Sequence, residues 1–196
     1  MSKLNVDTIE PEGATTTLTL GASGDTVTIP SGATIDASAG TATGFGKVVQ
    51  VVNTQTGAVI TGTTISPHGD TIPQNDEGNE VMTLAITPTN SSNKLRIEVD
   101  IATYANSAAT ELTTAALFQD STAGAIAAAV MTEATGGYNN SFGLSHYMTA
   151  GTTSETTFKV RLGSHQAGTI TFNGTASTRQ MGGVLSSGIT ITEIEV

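Results

Sequence analysis

The 196-residue chain has no cysteine and no tryptophan, only 7 basic residues, and charged groups at 12% of its positions. Without cysteine there is neither a disulfide framework nor a thiolate metal site, so the fold does not depend on a redox compartment. Acidic residues number 17, the net charge is -10, and no basic patch is available to neutralise a phosphate backbone, which argues against nucleic-acid binding. No apolar run approaches the ~20 residues of a membrane-spanning helix. Residues 1–7 lack the apolar core of a signal peptide. The expectation is a soluble chain with no membrane insertion and no secretion address.

What is abundant is threonine, roughly a fifth of the residues, together with 22 glycines. β-branched residues joined by Gly-rich turns form strands, and a mean hydropathy of +0.04 is too high for a disordered polar chain. The length suits one domain of about 150 residues plus an appendage. The expected fold is all-β and trimeric, with an N-terminal repetitive β-shaft followed by a C-terminal jelly-roll-like β-sandwich.

Three segments are expected. In residues 14–46 apolar pairs recur every eight or nine residues: Leu18 and Leu20, Val27 and Ile29, then Ile35 and Ala37. Between them stand turn formers such as Pro30, Ser31 and Gly32, so each unit reads as a short strand and a tight turn. Each unit offers two sizeable apolar side chains worth about 1.5–3 kcal/mol apiece when buried, against about 1–2 kcal/mol for ordering each residue. One copy should not fold alone. Three copies wound about one axis would bury Leu18, Leu20, Val27, Ile29 and Ile35 and close the strand edges, as in a fibrous shaft; a flexible linker is the alternative. Ahead of this lies residues 1–13, where Leu4, Val6 and Ile9 precede Pro11 in a brief strand suited to docking on another protein by strand addition, or else a frayed terminus.

From residue 47 to 196 the alternation is longer and cleaner. Leu95, Ile97, Val99 and Ile101 face one way while Arg96, Glu98 and Asp100 face the other. Phe158, Val160 and Leu162 interleave with Lys159 and Arg161, and Met82, Leu84 and Ile86 with Thr83 and Ala85. Val48 to Val52 reads as a nearly continuous apolar strand, and further strands are expected at 114–119, 125–132, 142–149, 169–172 and 189–196. Asn173-Gly174 is the strongest hairpin signal in the chain. In the last strand the apolar phase slips between Ile191 and Ile194, which suggests a bulge or a strand covered on both faces. Eight to ten strands in 150 residues indicate a two-sheet sandwich.

The residues offer little catalytic chemistry. His68, His146 and His165 have no partner at ligand spacing, and no G-x-S-x-G elbow is present. Ser91-Ser92-Asn93-Lys94 matches S-x-x-K by letter alone, on a turn entering a strand. Polysaccharide cleavage would need paired carboxylates in a groove, and Glu98 with Asp100 merely share the wet face of one strand. The acidic loop from Asp76 to Glu80 is the one compact oxygen-ligand cluster; it reads as a Ca2+ site if another carboxylate approaches, and otherwise as a solvated loop. The loop carrying Tyr138, Asn139 and Asn140, with His146 and Tyr147 as neighbours, pairs an aromatic ring with amides and is the candidate receptor-contact surface. No catalytic, cofactor-binding or metal residue is assigned, and no cofactor is expected.

The opening 46 residues, in particular Lys3-Leu4-Asn5-Val6-Asp7-Thr8-Ile9 and the run from Asp25 to Gly46, resemble fibre-like virion structural proteins of marine tailed bacteriophages. Leu117-Phe118-Gln119-Asp120, Thr156 to Arg161 and the closing stretch Ile189 to Val196 carry the same likeness. The resemblance implies a non-enzymatic homotrimeric appendage, located in the virion. It would attach to another virion protein through Leu4, Val6 and Ile9 and present its head to a host-surface glycan or protein. It leaves open a tail fibre, a head fibre, or a capsid decoration protein that stabilises the shell.

Overall fold

The computed structural model describes residues 26, 28, 31, 32, 47–108, 112–132 and 139–196. The chain divides into two units, Met1–Gly44 and Phe45–Val196. Leu4, Val6, Ile9, Leu18, Leu20, Val27, Ile29, Ile35 and Tyr138 lie outside the described residues. In the first unit Ser31 and Gly32 form a turn, with Gly32 at a φ of 87°.

The second unit is built from strands β1 (Lys47–Thr56), β2 (Ile60–Gly62), β3 (Asn79–Ile86), β4 (Lys94–Asn106), β5 (Leu112–Gln119) and β6 (Ala127–Thr132). They are followed by β7 (Asn140–Thr149), β8 (Thr156–Ser164), β9 (Ile170–Phe172), β10 (Gly174–Thr175), β11 (Thr178–Arg179) and β12 (Ser187–Glu195). One sheet runs β1-β12-β4-β7, with β9 and β2 continuing beside the far end of β4; the other runs β3-β8-β5-β6. Every strand pair is antiparallel. The four long strands β1, β12, β4 and β7 of the first sheet and β3, β8, β5 and β6 of the second follow the strand order of a jelly roll.

The alternation of β4 explains the packing. Leu95, Ile97, Val99 and Ile101 are buried, beside Ile189 and Ile191 of β12, and join Leu117, Phe158, Val160 and Leu162 of the other sheet in one core. Each such side chain contributes about 1.5–3 kcal/mol on burial. The Ala-rich stretch at 125–132, which has the composition of a helix, forms β6 because it pairs along β5 from Leu117↔Ala127 to Leu112↔Thr132; tertiary pairing overrides the helix preference of alanine.

Two expectations need correction. The hairpin is not at Asn173-Gly174: the turn residues are Ala176 and Ser177, at φ values of 47° and 62°, between the pairs Thr175↔Thr178 and Gly174↔Arg179. Asn173, at a φ of 56°, is instead a buried tie: its Nδ2 donates to Thr56 O (2.7 Å) and Ala58 O (3.2 Å), and its Oδ1 accepts from Ser187 Oγ (2.7 Å). Second, the phase slip near Ile194 has another cause. The register irregularity lies on β1, between Val48 and Gln50, and the inward position after Ile191 is filled by Glu193. The apolar run Val48 to Val52 forms part of edge strand β1, and its Val48 and Val51 face solvent.

The outer faces of the two sheets differ. Segment 63–78 runs along the outside of the second sheet, held by Ser66 N to Ser164 O, Asn75 N to Ala123 O and Ala125 N to Pro73 O, each 2.8 Å. As a result β5 is buried on both faces from Thr113 to Phe118. No such cover lies on the described outer face of the first sheet, where Arg96 and Asp100 are exposed.

Candidate functional site

Antiparallel register fixes which side chains stand side by side on that open face. From the chain's entry at Lys47 outward, the rungs across β1, β12, β4 and β7 are Val48–Ile194–Lys94–Thr149, then Val51–Thr192–Arg96–Tyr147. Next come Asn53–Thr190–Glu98–Ser145 and finally Gln55–Gly188–Asp100–Gly143. The first two rungs carry the apolar Val48, Val51 and Ile194; the last two are polar. Two glycines flank Asp100 across neighbouring strands, so the sheet surface dips there, and a groove of about 570 Å³ opens over the last two rungs and Ser186.

Within and beside the groove, Asn53 Nδ2 donates to Thr190 Oγ1 (2.8 Å) and Ile189 O (3.2 Å). Arg96 Nη2 holds Glu98 Oε1 at 2.7 Å, and Lys94 Nζ donates to Thr149 Oγ1 at 2.7 Å. The Asp100 carboxylate makes no hydrogen bond or ion pair with the described residues. The groove therefore combines a carboxylate open to solvent, amides and hydroxyls, with the exposed ring of Tyr147 one rung away.

The candidate receptor-contact residues are spread along β7. Asn139 Oδ1 accepts a hydrogen bond from Thr175 Oγ1, and Asn140 opens the strand opposite Tyr104. Tyr147 stands seven residues farther on, about 23 Å at ~3.3 Å per residue. His146 pairs with Ile97 and points into the sandwich, half-buried, while Tyr147 pairs with Arg96 and points out. Strand periodicity thus separates these two neighbours in sequence, and Tyr147 stands on the open face, one rung from the groove, rather than with the loop.

The acidic loop is engaged in structure. Glu77 Oε2 accepts from Gln74 N at 2.9 Å, and Arg161 donates to Glu77 O and Gly78 O at 2.8 Å each. Arg161 Nη1 also approaches Glu80 Oε2 at 3.9 Å. Among the described residues no group of three or more His, Asp or Glu is arranged to hold a metal ion. His68 and His165, distant in sequence, do meet: His68 N donates to His165 Nδ1 at 2.9 Å and the rings stand edge to face, 6.1 Å apart.

Glu193 is the buried carboxylate that sequence reasoning missed. It is fully enclosed. Its Oε1 accepts from Thr89 N (2.9 Å), Thr89 Oγ1 (2.8 Å) and Asn93 Nδ2 (2.6 Å), and its Oε2 from Gln50 Nε2 (2.6 Å). Burial pushes the carboxyl up, but the hydrogen bonds from Gln50, Asn93 and Thr89 outweigh it and lower the pKa from 4.5 to about 2. These donors, with Asn90 N at 3.4 Å, come from the first sheet's edge and the 89–93 turn, so this cluster fastens a turn to the core and offers no open face for chemistry.

No protein-family model matches the chain, and no curated protein sequence matches it. Among solved structures, the Eiger TNF of S. frugiperda is similar at a TM-score of 0.41 and 8% identity, over 74% of this chain and 93% of that one. The VP2 subviral particle of infectious bursal disease virus gives 0.36 and 11%, over 75% of this chain and 40% of that one. The C-terminal domain of EclA, a sugar-binding protein, gives 0.33 and 17%, over 70% and 76%. All three scores fall below 0.5, and the fold assignment rests on strand order alone.

Proposed function

We propose that the chain is a virion structural protein of a bacteriophage, a homotrimeric fibre or appendage that presents its jelly-roll head for attachment to a host surface. The N-terminal residues Leu4, Val6 and Ile9 dock on another virion protein, and the 14–46 repeats form the trimeric shaft through Leu18, Leu20, Val27, Ile29 and Ile35. The head engages a glycan or protein on the host, where three copies multiply weak contacts.

The observation that carries this reading is the apolar surface at the end of the head where the chain enters it. Val48 and Val51 are 56% and 55% exposed on an edge strand, and Val196 is 73% exposed beyond Glu195, the register partner of Lys47. Half-buried Ile194 sits beside Val48. An edge strand with apolar side chains invites pairing unless another chain covers it, and its position next to residue 46 is where sister copies emerging from a shaft would meet.

Size-exclusion chromatography with light scattering tests the reading. The expected mass is three times the 19.8 kDa chain, and Val51→Lys raises the dissociation constant about tenfold or more while leaving the circular dichroism spectrum unchanged. A well-folded monomer at micromolar concentration overturns it.

A further inference from the structure

The groove contains an absence that packing does not require. Gly143 lies mid-strand in β7, where glycine costs stability and often marks close approach of a ligand or another backbone. A Cβ built on Gly143 would meet only Val99 O, at 3.5 Å, an ordinary contact. Nothing else among the described residues fills the space that this missing side chain leaves; on the other side of Asp100, at Gly188, a Cβ would meet Gln55 Cγ and Thr54 O at 3.3 Å, so the Gln55 side chain lines that flank. The sheet surface is cleared on the β7 flank of a carboxylate that has no partner among the described residues.

We propose that this groove binds a neutral oligosaccharide, with Asp100 as its central acceptor and Tyr147 as a stacking platform at its edge. The inference rests on the attachment reading above and supplies its ligand class. Sugar hydroxyls donate to a carboxylate and accept from amides and hydroxyls, which Gln55, Ser145 and Thr190 provide. The C–H face of a pyranose ring suits an exposed tyrosine. A volume of about 570 Å³ falls within the ~300–1,000 Å³ of small-ligand clefts.

Charge decides between ligand classes. Two carboxylates in the groove and a net charge of -10 repel sulfated, phosphorylated or sialylated chains, so the saccharide is uncharged. Binding rather than cleavage is the expected chemistry, because glycoside hydrolysis needs carboxylates flanking the scissile bond. Glu98 and Asp100 rise side by side from one strand, and Arg96 already holds Glu98 at 2.7 Å.

The test is an NMR titration of the full chain with maltotriose, lactose and mannotriose, with sialyllactose and spermidine as anionic and cationic controls. At least one neutral sugar should shift the amides of Gly143, Ser145 and Gly188 at millimolar concentration. Gly143→Val should weaken that binding about tenfold or more with an unchanged or higher melting temperature, and Asp100→Asn should weaken it as well. The proposal fails if none of the three neutral sugars moves those amides, if Gly143→Val binds as tightly as the parent, or if either control binds better. A trimer that binds no sugar removes this site and leaves the fibre reading standing; a monomer that binds one does the reverse.

Discussion

Strands β4 and β5 lie in opposite sheets of the same sandwich and have opposite surroundings. In β4, Leu95, Ile97, Val99 and Ile101 are buried while Arg96 and Asp100 are exposed. In β5, Leu117 faces the core and its neighbour Phe118 faces outward, yet both are buried because segment 63–78 and the 120–125 turn pack over that side. One sheet keeps a wet face available to a partner; the other has spent its outer face on internal packing. The face left free for a partner is the one where the protein leaves its own sheet uncovered.

Alanine substitutions sharpen that contrast most strongly. Leu117→Ala and Phe118→Ala, adjacent in β5, should each destabilise the head by about 2–5 kcal/mol through cavities left on opposite sides of the sheet. In β4, Ile97→Ala should cost a similar amount and adjacent Arg96→Ala less than about 1 kcal/mol, because an exposed ion pair contributes little. Urea unfolding of the four variants checks this; a mild Phe118→Ala would mean that the outer cover does not seal the second sheet.

Glu193 gives the next largest effect, and it marks where the wet face of the first sheet ends and the core begins. Its folded pKa of about 2 lies below the ordinary 4.5, so its contribution is fully present above pH 4.5 and is lost as pH falls from about 4.5 to about 2. The lost stability is on the order of 3 kcal/mol. Glu193→Gln should flatten that part of the pH profile, and Glu193→Ala should cost on the order of 3 kcal/mol at neutral pH because Asn93, Gln50 and Thr89 lose their acceptor. Urea midpoints measured across pH 2–7 decide the sign and the window.

The sandwich was legible in the sequence because its strands alternate: β4 and β8 spell out inside and outside residue by residue. The groove was not. Asp100 was visible as one of three charges on a wet face, but the glycines beside it belong to β7 and β12 and reach it only through the register of three strands. Glu193 was hidden for a similar reason, since its donors Gln50, Thr89 and Asn93 are remote in sequence, and its inward position looked like a lapse in an apolar pattern. Asn173-Gly174 misled in a different way. The pair does supply a positive φ, but at a buried kink tied to Thr56 and Ala58, while the less suggestive Ala176 and Ser177 make the turn.

The finest division between the two faces is drawn by a pair of mid-strand glycines. A Cβ on Gly163, in β8 of the covered sheet, would lie 2.5 Å from Ser66 Cβ and 2.9 Å from Gly78 Cα, so backbone would have to move. Gly163→Ala should therefore cost about 1–3 kcal/mol. A Cβ on Gly143, in the open sheet, finds only an ordinary contact at 3.5 Å, and Gly143→Ala should stabilise the head by about 0.5–1 kcal/mol, raising the melting temperature by about 1–4 °C. Calorimetry of the two variants side by side separates a glycine kept for packing from one whose absent side chain the fold does not need. If Gly143→Ala destabilised the head as much as Gly163→Ala, the gap beside Asp100 would be a requirement of the sheet itself, and the space over it would no longer point to a ligand.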